Sequence, residues 1–349
     1  MKQLVRVVLI LQIFFLQAQN FENRWTGYFS YISVKSISQG NDKIYAAAEN
    51  AIFTYDLSNQ EIATITTING LSGKTITTAH YSDAYGLYII GYENGLIEIA
   101  IDGEDNILKV VDILDKPTIP PNNKKINHFN EYNGRLYIST GYGISVYNLD
   151  TLEFGDTYFI GDLGSQINIT QTTVLGDLIY ASSSENGIKS ALVADESIID
   201  FEEWTTVIEG GYKGIQSLGS ELYTVNNNNT ILKFDLDVGF LQIDFFISPV
   251  LDFGVASEVL TITTENSIKA YTEGYSLLEE VNNLIDFDYK LQSGYTFNNT
   301  FYLGTKELGM LVVPFASSQA EQILPDGPLF NQPFAIDASP DQLWVAFGK

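Results

Sequence analysis

Cysteine is absent from this 349-residue chain, and histidine and methionine occur only twice each. Without cysteine there is no disulfide, no thiol nucleophile, no iron–sulfur ligation and no acylation site at a signal-cleavage point. Two histidines, His80 and His128, cannot build a histidine-rich zinc site, and they leave a serine triad only two choices of base. Basic residues are scarce as well, 18 against 43 acidic, for a formal net charge of −25. Such a surface repels nucleic acid, and no basic cluster longer than Lys124-Lys125 offsets it; a solvated acidic exterior is the simpler reading. No glycine-rich phosphate loop stands between a strand and a helix. The acidic run Asp102-Gly103-Glu104-Asp105-Asn106 lacks the spaced ligands and closing bidentate Glu of a calcium loop, and is expected to be a polar turn. The residues therefore predict no cofactor, no metal and no catalytic residue.

Long apolar runs are also missing, except at the start. Lys2 and Arg6 precede the apolar stretch Val7 to Leu16, and Gln17-Ala18-Gln19 supplies a small residue for cleavage. Residues 1–19 thus read as a secretory signal peptide, too short for a membrane span. The mature chain is expected to begin near Gln19 or Asn20, exported and without a membrane anchor of its own.

What the chain has in quantity is aromatic residues, 21 Tyr and 21 Phe, in a pattern that repeats. An apolar-aromatic pair, or its apolar equivalent, recurs at Ile44-Tyr45, Leu87-Tyr88, Leu136-Tyr137, Ile179-Tyr180, Leu222-Tyr223, Val259-Leu260, Phe301-Tyr302 and Leu343-Trp344, at spacings of 43, 49, 43, 43, 37, 42 and 42 residues. A polar turn and a second apolar run follow seven or eight residues later, as in Glu93-Asn94-Gly95-Leu96; Asn-Gly and its relatives tolerate the positive φ of a tight turn. In the second unit, 75–81, 86–91, 95–100 and 107–111 read as four strands, the inner ones apolar on both faces as in sheets stacked between neighbours. Four short strands per period of about 43 residues make a propeller blade. The expected fold is all-β, a seven-bladed β-propeller of four-stranded antiparallel blades over residues 20–326, with residues 327–349 starting a second propeller module that is cut off. A single blade with exposed faces should not stand alone, so the ring is the folding unit.

The seven hairpin turns should share one end of the ring, which makes them the candidate binding face: Glu49, Asn50, Glu93, Asn94, Tyr142, Glu185, Asn186, Asn228, Asn229, Glu265, Asn266 and Glu307. Tyr142 stands out as an aromatic at a turn tip. His80 falls in a predicted innermost strand and His128 just before one. Which blade receives a closing strand is not readable, although Arg24 to Tyr31 could pair with the last unit.

The segment Gly86-Leu87-Tyr88-Ile89-Ile90-Gly91-Tyr92-Glu93-Asn94-Gly95-Leu96-Ile97-Glu98-Ile99 resembles the two-component regulator propeller repeat, a pattern shared by many sensors and enzymes. A narrower resemblance lies in Trp25-Thr26-Gly27-Tyr28-Phe29-Ser30-Tyr31, the stretch Ile44 to Asp56, and Ile68-Asn69-Gly70-Leu71-Ser72-Gly73, which with the signal peptide are similar to the N-terminal propeller of PorZ-like proteins of the Bacteroidetes type IX secretion system. That resemblance implies a non-enzymatic scaffold or binding component at the periplasm, outer membrane or cell surface of a Gram-negative bacterium. It would assist cargo attachment by delivering anionic lipopolysaccharide to the sortase of the system. The family carries two propellers and a C-terminal β-sandwich, so lipopolysaccharide or glycan contacts are expected through domains missing here. The alternative is a ligand-sensing, glycan-binding propeller of a two-component sensor. A polysaccharide lyase ranks below both, because the net charge is wrong for a polyanionic substrate.

Overall fold

The computed structural model describes residues 27–328, 330, 333–339 and 342–347; the expected signal peptide, Trp25 and Thr26 lie outside them. Seven four-stranded antiparallel sheets follow one another, each built from four strands consecutive in sequence. This is the seven-bladed propeller that the repeat predicts. The second unit forms strands at Ile76–Ser82, Leu87–Tyr92, Ile97–Ile101 and Ile107–Val110, within two residues of the sequence reading. Irregular spacings arise between blades: the stretch after Val110 that carries a 3-10 turn at Pro121–Asn123 lengthens one period, and only 246–249 separate the outermost strand of blade five from blade six.

The recurrent pair has a packing reason. Side chains alternate across a strand, so neighbours on the second strand of a blade enter opposite interfaces. Ile44 joins the cluster shared with blade seven, whereas Tyr45 stacks on Tyr88 and Tyr81 of blade two at ring separations of 4.4 and 5.2 Å. The same holds for Leu136-Tyr137, Ile179-Tyr180, Leu222-Tyr223 and Phe301-Tyr302. In blades two and six the pair is one residue out of step. There Ile89 and Thr261 occupy the place of Tyr45, opposite His80 and Gly254 of the inner strand. Seven hydrophobic clusters result, one at each blade–blade interface, and none is internal to a single blade. The core is a closed series of seven interfaces.

Residues 27–31 do not add a strand to the last blade. The outermost strand of blade seven, Glu321–Ile323, comes from that blade's own sequence. The seam with blade one closes by packing, Tyr31 and Phe53 against Tyr302, Met310 and Ile323, and by hydrogen bonds from Gly309 N to Ile32 O (2.9 Å) and Ser293 Oγ to Val34 O (3.2 Å).

The innermost strands are all seven residues long: Val34–Gly40, Ile76–Ser82, Ile126–Tyr132, Ile169–Leu175, Tyr212–Leu218, Val250–Ala256 and Leu291–Phe297. Each breaks register with its neighbour between its first and third residues. A bulge leaves the second residue unpaired, bends the strand and re-aims that side chain. Beyond the ring, Pro333–Ser339 pairs with Gln342–Phe347 in a hairpin whose first strand carries the same break, between Pro333 and Ala335.

Candidate functional site

The predicted turns do gather at one end, with the connections that enter each inner strand. They are fastened there: Ile76 N donates to Glu49 O (2.8 Å), Glu93 N to Thr75 O (3.0 Å) and Leu291 N to Glu265 O (2.8 Å). Glu49, Asn50, Glu93, Glu185, Asn186, Asn228, Asn266 and Glu307 are exposed, with Lys74, Lys125 and Lys306 exposed among them. Asn94, Asn229 and Glu265 are half-buried and serve the fold. Asn94 Oδ1 accepts from Leu96 N (3.2 Å), and Asn229 Oδ1 from Lys213 Nζ (2.6 Å) and Val250 N (3.1 Å). Hydrogen bonding and charge from Lys306 (2.7 Å), with Lys290 behind, hold the Glu265 carboxyl below its ordinary range.

Tyr142 corrects the sequence reading. Its blade turns in two residues, Thr140 opposing Gly143, so the ring folds back into the interface of blades two and three instead of projecting. It is fully buried, 6.0 Å from Phe159, with its hydroxyl 2.6 Å from Ser145 Oγ. Asp102 is likewise taken up by the fold, accepting from Tyr81 OH (2.6 Å) and Asn41 Nδ2 (2.8 Å) across adjacent blades.

Sequence reasoning passed over the central channel. At the turn-bearing end its wall includes all seven bulge residues, Lys35, Thr77, Asn127, Thr170, Lys213, Leu251 and Gln292, around a cavity of about 300 Å³. Several of these reach the first residue of the next inner strand: Thr77 Oγ1 to Ile126 O (2.7 Å), Asn127 Nδ2 to Ile169 O (2.7 Å), Thr170 Oγ1 to Tyr212 O (3.1 Å) and Lys213 Nζ to Val250 O (3.3 Å). One residue deeper a second belt runs the other way, with backbone N–H groups of the next blade donating to Ser36 Oγ, Gln171 Oε1 and Asp252 Oδ2 at 3.1, 2.9 and 3.0 Å. Gln171 also crosses the channel, its Nε2 donating to Phe253 O (2.9 Å). The available signal was a polar residue second in six of seven inner strands.

The opposite end, a cavity of about 440 Å³, has different chemistry. There Glu131 accepts from Ser82 Oγ (3.0 Å) and lies 2.9 Å from His80 Nε2. Burial works to raise the Glu131 pKa, but the hydrogen bond and charge of His80, with Ser82, hold it below the ordinary carboxylate range. His128 belongs to the innermost strand of blade three, not to the segment before it. It lines both cavities, and burial, with the His80 charge second, pushes its pKa down to about 3, so the ring is neutral at physiological pH. Its Nδ1 is buried without a hydrogen-bond partner. Glu131 thus ties His80 and Ser82 together on one wall of the channel, with His128 on the neighbouring stretch of the same wall.

Residues 44–205 match the family model described as the N-terminal β-propeller domain of PorZ of the type IX secretion system. Among solved structures the chain is similar to PorZ of Porphyromonas gingivalis, described as an essential bacterial surface component of the type IX secretion system, at 19% identity and a TM-score of 0.78. The match covers 93% of this chain and 43% of that one, so the chain spans less than half the length of that protein. It also resembles the computationally designed Ika8 protein, at 10% identity and a TM-score of 0.52, over 82% of this chain and 96% of that one. No curated protein matches the sequence.

Proposed function

From the premise that the chain carries a PorZ-like propeller, we propose that it is a non-enzymatic, exported component of type IX secretion. It acts as a scaffold that helps attach cargo to the cell surface by passing anionic lipopolysaccharide to the sortase. The family match over residues 44–205 carries this reading, and two observations support it. His80 is tied to Glu131, which also accepts from Ser82, and His128 lines the channel wall at both cavities, an arrangement that suits a binding channel. Among the described residues no helix is long and apolar enough to cross a membrane, which accords with export on the predicted signal peptide at 1–19.

The exposed turn residues Glu49, Asn50, Glu93, Glu185, Asn186, Asn228, Asn266 and Glu307 are the proposed partner-facing rim. Residues 20–326 are the proposed mature propeller. The hairpin at 333–347 is proposed as the opening of a second module, supported by its bulge at the position where every inner strand has one. Deleting the gene in its host and fractionating the cells tests the role. Cargo should lose its surface attachment and appear soluble in the medium, and return on complementation; unchanged attachment would sink the proposal.

A further inference from the structure

The turn-bearing mouth of the channel holds a concentration of positive charge that the fold does not require. Lys35, Lys125 and Lys213 all line the same cavity of about 300 Å³, in a chain with 18 basic residues and a net charge of −25. Among the described residues none of the three has a carboxylate within 4.0 Å, whereas Lys109, Lys189, Lys233, Lys269, Lys290 and Lys306 on the blades each face one. The partners of the channel lysines are neutral: Gln292 Oε1 for Lys35 at 3.0 Å, Asn229 Oδ1 and Val250 O for Lys213 at 2.6 and 3.3 Å.

Blade stitching does not account for these charges. The bond that Lys213 makes to the next blade is made by Thr77 and Thr170 at the same bulge position, at shorter range and without a charge. Repeated cations in one cavity repel each other and lose hydration unless an anion joins them. Asp252 lies one residue deeper, its carboxylate engaged by Gly294 N at 3.0 Å, and burial raises its pKa; one carboxyl stands against three lysines. The buried, unpartnered Nδ1 of His128 lies in the wall of the same cavity.

We propose that this mouth binds a phosphate or phosphate monoester, held by Lys35, Lys125 and Lys213. A group of charge near −2 with three acceptor oxygens suits three lysines lining one cavity better than a single carboxylate does. The site stands apart from the secretion role, whose failure in cells would leave it intact.

Titration calorimetry of the full chain with inorganic phosphate and with glucose 6-phosphate tests the assignment and separates a free phosphate from a sugar-borne one. Saturable binding of either should weaken about tenfold or more in Lys35→Gln and in Lys213→Gln, as loss of one charge-assisted hydrogen bond predicts, and persist in Lys213→Arg. Lys125→Gln, at an exposed position, gives a variant whose folding is not at stake and should show the same loss. Absence of saturable binding of both probes, or undiminished affinity in the folded glutamine variants, would overturn the site.

Discussion

Replacing His128 with glutamine should flatten the acid limb of the stability curve, and the amount follows from where the imidazole sits. In the native ring burial holds its pKa at about 3 against an ordinary 6.5, so the folded state keeps the ring neutral where an unfolded chain protonates it. Between these values the unfolded state binds one more proton, and stability falls as the pH drops through 6.5 and levels off near 3. At about pH 5 the penalty is about 2 kcal/mol relative to pH 8. His128→Gln removes this group and leaves the other titrating residues in place. Urea unfolding of both proteins at about pH 8 and pH 5 should therefore show the parent losing about 2 kcal/mol more than the variant. With two histidines in the chain, imidazole carbon resonances can follow the titration directly. Parallel stability profiles, or an imidazole that protonates near its ordinary pKa in the folded ring, would refute the buried placement.

Tyr142 gives a second test. Tyr142→Phe should cost about 1 kcal/mol for its hydrogen bond, and Tyr142→Ala about 3–5 kcal/mol as a fully buried aromatic; near-neutral melting temperatures would return it to an exposed turn. Limited proteolysis should trim the chain beyond about residue 326 and leave a resistant ring, as the domain proposal requires, while cleavage scattered among the blades would contradict ring closure.

The fold was legible because each blade must bury two faces, and the second strand records this as adjacent large apolar residues, Ile44 beside Tyr45 or Phe301 beside Tyr302. Its phase slipped by one at Leu87 and Val259, where four consecutive apolar residues or a threonine at the aromatic position blur the alternation. The channel was less legible. Its wall is set by bulges, and a polar residue second in six of the seven inner strands, with Leu251 as the exception, is too common a feature of a strand to announce one. Tyr142 was misplaced because blade three closes its hairpin with two residues between Thr140 and Gly143, where blade two has five between Gly91 and Ile97.

Because every blade is drawn from one uninterrupted stretch of sequence, the ring has no latch strand among the described residues and its seam is an interface like the other six. The chain enters and leaves at neighbouring points, Gly327 lying against the backbone of Phe29. Circular permutation should therefore be tolerated: joining these ends and opening the link at 246–249 would move the seam without dividing any sheet. For the same reason the ring can sit within a longer polypeptide as a cassette, since no strand of it has to be borrowed from the sequence on either side.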